Sequence, residues 1–486
     1  MKLFLAGYNV DAEVLEELKS AYPKQRDDVT PETLSAAYAR ISRDPRPVNE
    51  LRQLARAEVA AARKSNASII FGLGHSSVAE HAVFNFDIIG VSRLAIEEIE
   101  KFRLCSFTEK SQRYITLGEE YTIPPELKGS RFEQEFQEIV KRQCDFYQVL
   151  FERLKEQIAE QHKDLAADPK NANLLEGWAK EDARYITPLA THAQVGMTVN
   201  ARNLEKMIRR FASHPLREIQ TIGQALHTLV KDIAPSIVKY PEANDFDRRT
   251  YPEVQDVVLR ELGEKLKTPR RPKPVVLVEY TKDADQRLLA GLIYRSSGVS
   301  FKDALKRARG LSHKQRKALF QTAVRHMHLY DQVLREFELV ELTYDLTLSA
   351  ACFGQLKRHR MATLIMQRYE PALGLKIPTS IQAAGLVKEF TALAATAEDL
   401  YARIKAEIPT VAEYILTNAH QRKVLFKTNL RSLYHMSRLR EDQHAQWDIR
   451  ELTASMSALI KRKMPLATSF IGGKDRFAEI QHTVCQ

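Results

Sequence analysis

Val199-Asn200-Ala201-Arg202-Asn203-Leu204 is followed by Arg210, His214 and Glu218-Ile219, and Thr428-Asn429-Leu430-Arg431-Ser432-Leu433 is followed by Arg440, His444 and Asp448-Ile449. The numbering offset is 229 within the first stretch and 230 at each later pair, so a single indel relates them. Pro235 and Pro465 then stop the two stretches at the same offset. Upstream, Lys101-Phe102-Arg103 through Gln112-Arg113-Tyr114 answers Arg358-His359-Arg360 through Gln367-Arg368-Tyr369, at offsets of 257 falling to 255. Chance matches seldom hold one offset over so many positions, so the chain reads as a tandem duplication. The fall from 255 to 229 gives the first copy about 26 extra residues between Arg113 and Asn200, near positions 119–170.

Local patterns set the fold class. Val275-Val276-Leu277-Val278-Glu279-Tyr280 opens the second copy as a short apolar strand, and Leu3-Phe4-Leu5-Ala6-Gly7 reads the same way in the first. Residues 82–89 and 339–346 alternate apolar and polar, which predicts half-buried strands. Ile449, Leu452, Met456, Leu459 and Ile460 recur at three- and four-residue spacing, the stripe of an amphipathic helix. The expectation is a helix-rich α/β (α+β) protein of two tandem domains forming an intrachain pseudo-dimer. The stretch from Pro241 to Pro274, proline-broken and poor in apolar residues, marks the seam. The domains are expected at 1–245 and 274–486, with a linker at 246–273.

Composition bounds the rest. The 486 residues carry 73 Lys and Arg against 62 Asp and Glu, a net charge of +11. Such an excess favours phosphorylated partners but is mild beside that of dedicated nucleic-acid binders, so nucleic acid is not the expected partner. Cys105, Cys144, Cys352 and Cys485 lie far apart without a CxxC pair, which excludes a disulfide scaffold and a thiolate zinc site. No apolar run approaches the roughly 18 residues of a membrane span, and the start is too short for a secretory leader. A cytoplasmic protein is expected.

The densest polar segment of the first copy is residues 103–114, with Arg103, Ser106, Glu109, Ser111 and Arg113. Arginine forks and serine hydroxyls suit a phosphate, although a solvated basic turn has the same composition. In the second copy, Gln355-Leu356-Lys357-Arg358-His359-Arg360 fits either an anion site or a helix end that satisfies its own last carbonyls. Arg440 and His444, four apart, share a helix face. Gly72-Leu73-Gly74-His75 lacks the Gly and Lys spacing of a nucleotide loop. Arg325-His326-Met327-His328 lacks the carboxylate spacing of a metal site, so no metal is expected.

Gly74-His75-Ser76-Ser77-Val78-Ala79-Glu80-His81, the stretch from Phe107 to Tyr114 and the triplet Arg358-His359-Arg360 resemble the flavin-dependent thymidylate synthases. The resemblance covers both halves and implies two fused copies of a fold that ordinarily assembles as a homotetramer, so that a homodimer of this chain would mimic the tetramer. It implies FAD as cofactor, NADPH and methylenetetrahydrofolate as cosubstrates, and methylation of dUMP.

Carried over position by position, the resemblance makes Glu109, Ser111, Arg113, Arg184, Gln355, Arg358 and Arg440 substrate-binding. Arg440, Ser111 and Arg210 become the catalytic candidates. The flavin contacts become His75, Arg358, His359, Arg360, Asn429, Arg431, His435, His444, Asn200 and Arg202. Both copies depart from the family pattern: the first has Lys101-Phe102-Arg103 where the triplet belongs. The second is two residues short after its triplet and has Glu413 where Arg184 stands in the first. Each copy lacks what its twin retains, so one composite pocket is expected and its counterpart is expected to be dead or used for something else. Two rivals remain, a flavin-binding paralogue acting on another pyrimidine nucleotide and a non-catalytic nucleic-acid binder using runs such as Lys306-Arg307-Ala308-Arg309.

Overall fold

Two antiparallel sheets carry the same plan twice. In the first, β1 (Val83–Ser92), β2 (Cys105–Glu109) and β3 (His192–Asn200) lie in the order β1-β3-β2. In the second, β4 (Val275–Tyr280), β5 (Glu341–Ser349), β6 (Thr363–Met366) and β7 (Gln421–Asn429) lie in the order β4-β5-β7-β6. Thus β5, β7 and β6 repeat β1, β3 and β2. The computed structural model describes residues 9–21, 30–41, 44–72, 74–263, 266 and 272–486. The strand expected at positions 3–7 lies outside these, as do positions 267–271 of the seam. Every strand pairing is antiparallel and helix makes up 59% of the structure, so the fold is helix-rich α+β. No described helix is long and apolar enough to cross a membrane.

The repeated polar residues first serve the fold. Ser92 and Ser349 end β1 and β5 and cap the helices Arg93–Ile99 and Ala350–Leu356, accepting from the amides of Ala95 (2.9 Å) and Cys352 (3.0 Å). Asn200 and Asn429 do the same for the helices Ala201–Ala212 and Leu430–Arg440. Such caps satisfy amides that the first helical turn leaves without partners.

The copies meet across a pseudo-two-fold axis. Leu189 N–H donates to Leu416 C=O (2.8 Å) and Asn418 N–H to Thr187 C=O (3.0 Å), a reciprocal pair. Ala190 to Tyr414 and Ala419 to Tyr185 form a second such pair. Each copy's tyrosine also reaches the other copy's carboxylate: Tyr414 donates to Glu218 (2.6 Å) and Tyr185 to Asp448 (3.0 Å). Those carboxylates accept from Ser92 and Ser349. One apolar core contains Ile96, Ile139 and Val195 together with Leu400, Ile404 and Leu416. The halves therefore share a core, unlike domains on a tether.

The seam contains more order than its composition suggests. Asn244 and Asp247 form a capping box that starts a helix at Asp245–Leu262, despite Pro252 inside it. None of its residues is buried, which is why no apolar stripe announces it. The extra length of the first copy is helical too: Glu133–Gln161 has 29 residues against 21 in Val387–Glu407, and Ala172–Ala183 is added after it.

Candidate functional site

A cavity of about 150 Å³ opens where the turn after β2 faces the second copy. The first copy lines it with Glu109, Ser111, Arg113 and Arg184, the second with Gln355, Arg358 and Arg440. Arg93 and Lys110 bring its cations to six, against the single carboxylate of Glu109. Arg184 sits on the turn after the helix Ala172–Ala183. Its Nε donates to Glu181 C=O (3.2 Å), while its buried Nη2 has no partner among the described residues. Burial pulls this guanidinium below its ordinary value, with Arg113 and Arg93 adding to the effect. Buried polar groups are nearly always paired, so an orphaned donor among cations points to an anionic ligand.

Neighbouring groups are held from behind. Arg113 donates to Glu181 (2.5 Å) and to His444 C=O (3.3 Å). Arg440 donates through Nε to His359 Nε2 (3.0 Å) and through Nη2 to Gln355 C=O (3.5 Å). Burial, then Arg358 and Arg113, lower it to about 10. Burial pushes the Glu109 carboxyl up, but Lys357 (3.3 Å), Arg93 (3.5 Å) and Arg358 (3.7 Å) outweigh that and hold it below the usual range. Arg93 fits because residue 354 is glycine, where a Cβ would collide with its guanidinium.

Burial, followed by Arg440, His435 and Arg358, lowers His359 to about 3, so it is neutral and accepts from Arg440. In the unfolded chain it titrates near 6.5. Between these values the unfolded state binds the extra proton, so stability is present above pH 6.5 and lost as pH falls toward 3. His359→Gln keeps an acceptor without titrating. It is expected to make that loss shallower by up to about 1.4 kcal/mol per pH unit. Urea midpoints at pH 4.5 and 6.5 read this out, and identical slopes in both proteins reject it.

A second cavity, of about 420 Å³, adjoins the first through Arg358. His359, Arg360, Arg431, His435 and Arg438 line it from the second copy, and Arg103 from the first. Arg431 is fixed by Val333 C=O (2.9 Å), Gln332 (2.7 Å) and Glu338 (3.2 Å). Arg360 donates to Arg103 C=O (3.3 Å) and stacks over Phe107. The sequence pointed to Arg103 only as part of its polar segment and did not single out Arg438.

The pseudo-equivalent place keeps a cavity of about 150 Å³ but lines it differently, with Glu97, Lys101 and Met366 at the positions of Gly354, Arg358 and Glu109. Glu413 stands in place of Arg184 and accepts from the Tyr369 amide (2.7 Å). Fully buried Tyr369 donates to Glu97 (2.9 Å), and Glu97 also pairs with Arg422 (2.7 Å). Arg422 lies over the rings of Tyr369 (4.1 Å) and Phe353 (5.0 Å). Phe102 packs on Phe211 where His359 faces its cavity. The remaining first-copy candidates line neither of the two cavities. Arg210 pairs with Asp247 (3.4 Å), Arg202 pairs with Glu80 (2.5 Å), Asn200 caps its helix and His75 is exposed. Asn429 is likewise a cap, and His444 contributes its carbonyl. Cys105 is buried and its thiol is pushed up to about 11, as suits a packing residue.

The chain matches, twice, the family model described as thymidylate synthase complementing protein, over residues 27–236 and 276–466. It is 24% identical to a UPF0159 protein of Thermoplasma acidophilum, over 83% of this chain and 87% of that one. A UPF0159 protein of Chlamydia muridarum is also 24% identical, over 83% and 79%. The flavin-dependent thymidylate synthase of Clostridium tetani is 31% identical over 43% of this chain and 82% of its own. With both halves matched, this chain belongs to the thymidylate synthase complementing protein family, as two tandem copies in one polypeptide.

Proposed function

We propose that the chain methylates dUMP to dTMP, using methylenetetrahydrofolate, NADPH and FAD, at one composite site per chain. The observation that carries this reading is the orphaned Nη2 of buried Arg184 in a cavity with six cations and one carboxylate. Arg184, Arg113 and Ser111 hold the 5′-phosphate, the group whose charge and acceptors match theirs. Arg440, braced by neutral His359, donates to the pyrimidine where negative charge develops as C5 becomes nucleophilic. Glu109 stays ionised and holds Arg358 between the two cavities.

The residues of the larger cavity fit an anionic dinucleotide: Arg103, Arg358, Arg360, Arg431 and Arg438 face a single carboxylate, Asp331. Arg358, Arg360, Arg431 and His435 would hold the flavin there. Bound FAD would supply the hydride that completes the methyl group, so no protein nucleophile is needed.

The counterpart pocket, with Glu413 where Arg184 stands and with Glu97 and Met366 in its lining, supports half-site use. A homodimer would then have two sites where four single copies have four. Reconstituted protein is expected to bind one flavin per chain, read from absorbance against protein concentration. Two equivalent flavins per chain would reject the composite assignment. Tritium release from C5-labelled dUMP, with folate and NADPH present, tests the reaction itself.

A further inference from the structure

A buried hydrogen-bond chain leads out of the small cavity. Asp448 Oδ2 accepts from Ser349 Oγ (2.6 Å) and from Tyr185 Oη (3.0 Å). With its proton given to that carboxylate, the Tyr185 oxygen accepts from Gln446 Nε2 (2.9 Å). The other end of the Gln446 amide is fixed independently: Oε1 accepts the Ile449 amide N–H (3.3 Å), capping the helix Trp447–Lys461. A backbone donor cannot exchange roles, so Gln446 has one orientation. Its Oε1 also accepts from Gln355 Nε2 (3.1 Å). Gln355 Oε1 is left as the free end. It takes no hydrogen bond from the described residues, and Gln355 lines the cavity.

The other half shows what this link is for. Ser92, Glu218 and Tyr414 repeat the carboxylate end at 2.7 and 2.6 Å. Yet the first-copy counterpart of Gln446 is Leu216, and that of Gln355 is Glu98, which pairs with Lys101 and His214 instead. The carboxylate end occurs in both copies, while the extension to a pocket occurs only where the arginine cavity is. A link needed only for folding has no reason to be one-sided.

We infer that Gln446, held by the Ile449 amide at one end and by Tyr185 at the other, is a positioning residue that fixes the polarity of Gln355, so that it offers a carbonyl oxygen to a hydrogen-bond donor on the bound nucleotide. The inference rests on the pyrimidine-nucleotide reading above. Two donors of dUMP have this chemistry, the 3′-hydroxyl and the ring N3–H.

Calorimetric titration of dUMP, 2′,3′-dideoxyuridine monophosphate (no 3′-hydroxyl) and dCMP (no N3–H) into wild type, Gln446→Met and Gln446→Leu decides the matter. Wild type is expected to bind dUMP about tenfold tighter than one of the analogues, the worth of one hydrogen bond. Both variants should lose about that factor for dUMP and less than about twofold for that analogue. The analogue affected identifies the donor. Equal weakening of all three ligands, or no discrimination by wild type, overturns the relay and leaves the nucleotide reading standing. Failure of wild type to bind dUMP at all removes that reading instead. Gln446→Met keeps the length of the side chain while removing the acceptor, and carries the test alone should Gln446→Leu not fold.

Discussion

Arg440→Ala is expected to lower kcat by about 10²–10³-fold, while Arg210→Ala leaves turnover within about twofold. The two arginines occupy equivalent places in the copies, near the C-terminal ends of equivalent helices. Their surroundings differ. Arg440 is half-buried, has no carboxylate partner among the described residues, and is aimed into the cavity by His359 and the Gln355 carbonyl. A donor fixed in advance beside developing charge does not have to reorganise during the reaction, hence the large loss on removing it. Arg210 is half-exposed and paired with Asp247, with Arg209 on the same carboxylate. Arg209 (2.9 Å) stays on that carboxylate when Arg210 is removed, so Asp247 is not left without a cation. Arg440→Lys separates charge from geometry: it keeps the cation and loses the planar fork, so partial activity is expected. Steady-state kinetics on the three variants gives the answer. Equal loss from Arg440→Ala and Arg210→Ala would contradict a single working pocket.

The duplication was legible because residues that serve the fold are under the same demand in both copies. The caps Asn200 and Asn429 keep their spacing, as do the carboxylates Glu218 and Asp448. Strand alternation at 82–89 and 339–346 became β1 and β5, but only β1 keeps an exposed face: β5 lies between β4 and β7 and is buried along nearly all its length. What comparison of the chain with itself could not reveal is what differs between the copies. Glu97 stands opposite Gly354 and Arg93 opposite Ala350, so the buried charges that give the two pockets different linings drop out as mismatches. Charged residues also read as surface by default. Glu97 and Lys357 are buried with partners far away along the chain, Arg422 and Glu100, and Arg93 lies between Glu97, Glu109 and the distant Ala350 carbonyl. Tyr185 and Tyr414 were within reach, at the same offset as Arg184 and Glu413, but a tyrosine next to Arg184 looks like packing until its hydroxyl is seen on Asp448. The helix Asp245–Leu262 was hidden for the opposite reason, having no buried face to impose a pattern.

Arg184→Met should cost the protein its nucleotide without costing it the fold. A buried guanidinium with one nitrogen unpaired is a burden on the free protein, and replacing such a charge by an apolar side chain of similar length is often neutral or stabilising. The thermal midpoint without ligand is therefore expected to stay level or rise. With ligand the balance reverses: two charge-assisted hydrogen bonds to a phosphate, at about 1.5–3 kcal/mol each, correspond to at least a hundredfold in affinity. Calorimetry should accordingly show dUMP binding weakened by about 10²-fold or more, and a smaller stabilisation of the melt by added nucleotide. The mirror substitution Glu413→Gln, in the counterpart pocket, should leave dUMP affinity unchanged, because that carboxylate accepts from the Tyr369 amide and lines neither cavity of the proposed site. A variant that loses stability and binding in proportion would make Arg184 a structural residue. Wild-type affinity in Arg184→Met would mean that the phosphate is held elsewhere and that the orphaned nitrogen answers to no ligand.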